Sequence, residues 1–135
     1  MKLRIRGNSL RLRLTRSEVA RLAGGETVEE AIIFGIESNQ RLIYALETSP
    51  DARHIEADYC GARITVRLPA DAAREWANTD MISLNGKQSI NANKPNSQSD
   101  VLKLLIEKDF SCLTESRGAD DEDTFPHPMD GILRC

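Results

Sequence analysis

Aromatic side chains are scarce in this chain: three Phe, two Tyr and one Trp in 135 residues. A core must therefore be built mainly from Leu, Ile, Val and Ala, and recognition of single-stranded nucleic acid by base stacking has few platforms to use. Histidine is rarer still, with only His54 and His127, and neither stands in a Ser, Cys or Asp constellation that would serve nucleophilic catalysis. Glycine-rich phosphate loops, the Gly-x-Gly-x-x-Gly fingerprint and His-Glu-x-x-His are all missing. No run of about 18 apolar residues exists to span a membrane, and the opening MKLRIRGNS alternates charged and apolar residues where a signal peptide needs a continuous apolar stretch. The three cysteines, Cys60, Cys112 and Cys135, are odd in number and irregular in spacing, which speaks against a secreted disulfide framework. These absences lead us to expect a cytoplasmic protein with no catalytic motif.

What is present is charge, unevenly placed. Between Lys2 and Arg21 seven basic residues face the single acid Glu18, whereas between Glu107 and Asp130 eight acids face Lys108 and Arg117. The net charge of -3 conceals this polarity. A chain of 135 residues suits one domain able to bury roughly two-thirds of its unfolded surface.

Strict alternation in Lys2 to Arg6 and Leu10 to Leu14 puts aliphatics on one face and Arg4, Arg6, Arg11 and Arg13 on the other, with Gly7-Asn8-Ser9 as the turn of a hairpin. Thr15 to Glu18 has capping-box spacing, so a helix with Val19, Leu22 and Ala23 inward starts there and stops at Gly24-Gly25. Strands are expected at 27–34 and 41–48, then at 54–59 and 62–68 with Cys60 near the second hairpin's tip. Pro69 opens a second helix anchored by Trp76. Met81 to Leu84 reads as a short strand ending in an Asn85-Gly86 turn, 91–100 as a loop, and Val101 to Ile106 as a last strand. The expected fold is α+β: a mostly antiparallel β-sheet of short strands with two short helices packed on one side through Val19, Leu22 and Trp76. Residues 1–113 form the domain, and 114–135 an acidic, irregular segment docked on it.

The segments KLRIRGNSLRLRLTRSEV, LLIEKDFSCL and EDTFPHP with the last Cys resemble a family of small bacterial proteins classified only as a domain of unknown function. The resemblance spans nearly the whole chain and implies no activity. Members of that family usually carry Asn at the position of His127, which weighs against an essential ligand there. Gly7 to Val19 also resembles the start of the swapped-hairpin domains of antitoxin and transition-state regulators that bind DNA. Those domains carry Pro in place of Thr15 and continue with a Gly-Asp strand motif that this chain lacks.

The candidate sites follow from residue type. Arg4, Arg6, Arg11 and Arg13 form a basic strand face suited to phosphate or carboxylate, and a nucleic-acid-binding regulator built on this hairpin is one reading. Asp120, Asp121, Glu122 and Asp123 form an acidic docking segment of opposite charge, which could meet the arginine row in one chain or between two. Cys112, His127 and Cys135 have the right donor types for zinc, but no Cys-x-x-Cys or His-x-x-x-His pair fixes two of them locally, so the spacing disfavours it. An EF-hand is excluded by the lack of alternating acids and a following Gly. Glu107 and Asp109 share a strand face and read as surface residues, as does His54. The function expected is a binding or interaction module, with a protein partner or self-association favoured over nucleic acid and no membrane partner.

Overall fold

The computed structural model describes residues 1–90 and 101–110 together with Asp123 and Phe125. The opening hairpin forms as the alternation requires: β1 (Lys2–Ile5) and β2 (Ser9–Leu14) are antiparallel. Gly7 takes φ +55° in the turn. The chain then enters α1 (Arg16–Ala23), where the Thr15 side chain accepts from the Glu18 amide and the Glu18 carboxylate accepts from the Thr15 amide, completing the capping box. Next come β3 (Val28–Ile33) and β4 (Arg41–Ser49), joined through a 3₁₀ turn at Ser38–Gln40.

A second hairpin follows, β5 (Glu56–Cys60) and β6 (Arg63–Pro69), with both turn residues, Gly61 and Ala62, at positive φ. It leads into α2 (Ala70–Asn78), where Pro69 sits at the N-cap, one residue before the first helical position expected for it. β7 (Ser83–Ser89) and β8 (Val101–Lys108) complete the described elements, β8 running two residues beyond the expected strand. Among the described residues no helix is long and apolar enough to cross a membrane.

The α+β class holds, with one change of architecture: the described residues form two four-stranded sheets where one was expected. Their strand orders are β1-β2-β8-β7 and β3-β4-β6-β5. Each joins two antiparallel hairpins through a central parallel pair, β2 with β8 and β4 with β6. The reason is an internal repeat that local patterning does not reveal. The chain is a ββαββ unit written twice, and each sheet takes one hairpin from each copy. Adding 54 to every residue of the first hairpin reproduces the second register, so that Lys2↔Arg13 becomes Glu56↔Arg67 and Ile5↔Leu10 becomes Tyr59↔Ile64.

The core repeats with the backbone. Leu12, Leu14, Val19 and Leu22 in the first unit correspond to Val66, Leu68, Ala73 and Trp76 in the second, and all eight are buried. Inward strand residues and one face of each helix meet in a single cluster, where α1 also packs against α2. Trp76 is wholly enclosed and its indole N–H donates to Ile82 O at 3.0 Å, leaving no unpaired polar atom behind its burial.

The Asn85-Gly86 turn is a correction. Both residues lie in the middle of β7, which pairs continuously with β8 from Ser83↔Glu107 to Ser89↔Val101. Gly86 is required for a different reason: a Cβ there would lie 2.8 Å from Ile55 Cβ. Close packing, rather than a turn, selects the glycine.

Candidate anion-binding face

Alternation in the first sheet sends Leu12, Leu14, Leu104 and Ile106 inward and leaves Lys2, Arg4, Arg11, Arg13, Lys103, Lys87 and Glu107 on the outer face. Like charges sit directly across the ladder: Arg4 opposes Arg11, Lys2 opposes Arg13, and Lys103 opposes Lys87. Such pairs destabilise a sheet unless an anion intervenes. Among the described residues Glu107 supplies that anion to Arg11 and Arg13. It accepts from Arg11 Nε at 2.6 Å and from Arg13 Nε at 2.8 Å, and its side chain is only 13% exposed. Lys2 Nζ reaches the carboxylate of buried Asp109 at 3.1 Å. Glu107 and Asp109 are therefore counter-ions within the structure, not the surface acids expected of them.

Those two acids leave part of the row unmatched. Among the described residues Arg4, Arg6 and Lys103 have no ion-pair partner. They meet in a cleft of about 300 Å³ that Arg11, Ser9 and Asn85 also line. A second cleft, about 220 Å³, lies among Lys2, Arg4, Arg11 and Arg13. Ser9 and Asn85 add neutral hydrogen-bonding groups to a pocket otherwise walled by cations and leucines. The four arginines picked from the sequence thus share one face, and the residues that local reasoning missed are Lys103 and Lys87. Their signal was weak because β8 and β7 reach this sheet only through the repeat's exchange of hairpins.

The second hairpin is an internal control, because its backbone is the same. Arg67 stands where Arg13 does and bonds Glu47 at 3.3 Å, as Arg13 bonds Glu107. The positions of Lys2, Arg4 and Arg11 are held by Glu56, Asp58 and Thr65. Arg67 is also within 3.4 Å of Glu56 and Asp58, so that face is neutralised internally. Arg63, at the position of Ser9, is paired with Glu29 at 2.7 Å, so both arginines of that hairpin have a carboxylate partner within the chain, and the further cations on β1 and β2 are not demanded by the fold.

Of the acidic segment, Asp120, Asp121 and Glu122 lie outside the described residues. Asp123 touches the start of α1: its carbonyl accepts from the Arg16 amide at 2.8 Å, and its carboxylate accepts from the Ser17 amide at 3.2 Å and the Ser17 hydroxyl at 2.7 Å. The Ser17 hydroxyl bond, reinforced by the Ser17 amide and by Arg16, holds this carboxyl below its ordinary value. Phe125 lies beside Phe110, under Arg16 at 5.7 Å and Lys108 at 5.2 Å. Lys108 is itself buried, with Nζ donating to Thr79 O at 2.8 Å, and burial lowers its pKa.

Cys112, His127 and Cys135 lie outside the described residues. Among the described residues no group of three or more His, Cys, Asp or Glu is placed to hold a metal ion. Cys60 and His54 are both exposed.

A family model described as "Family of unknown function (DUF7009)" matches residues 1–129. The chain belongs to that family. No curated protein and no solved structure matches it.

Proposed function

We propose that this DUF7009 protein is a binding module that takes an anionic macromolecule on the outer face of its first sheet. The observation that carries this reading is the broken symmetry between the two hairpins. With the same register and the same arginine–glutamate buttress, one carries Lys2, Arg4 and Arg11 where the other carries Glu56, Asp58 and Thr65. Repulsion among these cations costs the fold stability, and an external anion relieves it. Arg4, Arg6, Arg11 and Arg13 are the contact residues, with Lys103 from the neighbouring strand.

A carboxylate-rich polypeptide fits this face better than nucleic acid. Among the described residues the outer face carries no aromatic side chain on which a base could stack. Duplex phosphates remain the second reading, since two clefts rimmed by arginine suit them. The test is retention on immobilised heparin, a polyanion without sequence. Wild-type protein should elute at clearly higher salt than the double variant Arg4→Glu, Arg11→Glu, whereas Glu56→Gln, Asp58→Asn should not matter. Equal elution of all three would dispose of the reading.

A further inference from the structure

The edge of the first sheet carries an opening that the second sheet has closed. In β1 the Arg6 amide donates to Ser9 O at 3.2 Å, so Arg6 and Ser9 are a hydrogen-bonded pair. Pairs alternate along an antiparallel ladder, which makes Arg4–Arg11 and Lys2–Arg13 bonded as well. Leu3 and Ile5 therefore turn their N–H and C=O groups away from β2, out of the sheet's edge. The equivalent residue on β5 is Ala57, and its outward groups are both taken: its amide donates to Gln88 Oε1 at 2.7 Å and its carbonyl accepts from Gln88 Nε2 at 2.8 Å.

Gln88 pairs with Leu102 as Ile32 pairs with Leu42, so Ile32 is its counterpart in the first unit. Isoleucine has nothing to offer a backbone amide. Among the described residues Leu3 and Ile5 accordingly have no partner on that side. Ile5 and Ile32 are 61% and 44% exposed. A glutamine closes the edge of β5 at Ala57, and at the equivalent point on β1 the outward backbone groups of Leu3 are left without a partner among the described residues.

We infer that an extended polypeptide with alternating acidic and apolar residues docks along β1 as an additional strand. The inference rests on the anionic-partner reading and names the partner. Main-chain groups of the added strand bond Leu3 and Ile5, as in strand addition to an open edge. Side chains of an added strand alternate between the two faces about 5 Å from their neighbours. Those on the outer face stand next to Lys2 and Arg4, so carboxylates suit them. Those on the inner face stand next to Leu3 and Ile5, so apolar groups suit them. Nucleic acid satisfies the cations alone and leaves both the amides and the apolar side chains without a match.

The probe is a fluorescently labelled seven-residue peptide of alternating Glu and Val, followed by anisotropy, with amide exchange of Leu3 and Ile5 read on the same complex. The peptide should bind and protect both amides. A block peptide of the same composition should bind at least about tenfold more weakly, as should one N-methylated on the nitrogens that face β1. Methylating the alternate set should have little effect. Equal binding of all peptides, or unprotected Leu3 and Ile5, overturns strand addition. The variant Ile5→Pro removes an outward N–H together with the isoleucine side chain and should weaken binding, while the methylated peptides isolate the backbone contribution and give the answer even if that variant unfolds. If heparin or duplex DNA binds and no peptide does, this inference fails and the anionic-face reading stands. If nothing anionic binds, both fail.

Discussion

Gly86 shows how a single residue can be read correctly as special and wrongly as to cause. An Asn-Gly pair is the strongest short hairpin signal, but here the glycine sits within a strand because Ile55 crosses directly over it. Gly86→Ala should destabilise the protein by about 1–3 kcal/mol, through overpacking against Ile55. In a double-mutant cycle Ile55→Gly, which removes the crowding Cβ, should recover part of that loss in denaturant unfolding, and a purely additive result would remove Ile55 as the cause. Glu107 is the second instructive residue. It looked like an ordinary strand acid, but only the parallel pairing of β2 with β8 brings it between Arg11 and Arg13. Glu107→Gln leaves those guanidiniums facing each other. Thermal melts should show lower stability at low salt, with the difference shrinking as salt screens the arginines, while retention on heparin increases.

At the scale of elements, α1 was legible because its cap and stop are local: Thr15 and Glu18 close the box, and the chain leaves the helix at Gly24. Its contact with Asp123 was not legible, since nothing in an acidic run says which acid meets which amide. The Asp123 carboxyl lies below its ordinary value of 3.8, so the folded state binds a proton less readily than the unfolded one. Stability from this contact is therefore complete above the unfolded-state value and is lost as pH falls through the lower folded-state value. Asp123→Asn should match the wild type's acid sensitivity less steeply: the gap in melting temperature between the two should be constant above pH 5 and close below about pH 4. A gap independent of pH down to 2 would show that Asp123 stays ionised or contributes nothing.

For the whole molecule, the two edges of the repeat should differ in exchange and not only in shape. Gln88→Ala frees the N–H and C=O of Ala57, which should cost about 1–2 kcal/mol and accelerate exchange of that amide towards the rate of Leu3. Unchanged exchange at Ala57 would mean that the seam is closed by something other than Gln88. The same view explains why the basic face was only half visible from sequence. Arg4, Arg6, Arg11 and Arg13 lie on adjacent strands of one hairpin, but Lys87 and Lys103 come from the other end of the chain.

The sequence by itself determined most of the elements, β7 excepted, and the inward faces of β1, β2 and β6, because alternation, capping and turn residues act over a few positions and leave their marks there. It also carried the arginine row, whose register is set within one two-residue turn. Tertiary structure decided which hairpins share a sheet, where the counter-ions Glu107 and Asp109 fall, and which edge is left open. Those depend on a parallel pairing between strands some 90 residues apart in the chain, as in Leu12 beside Ile106. Such pairing is chosen by how two copies of one unit bury a common core, a choice that local periodicity does not record.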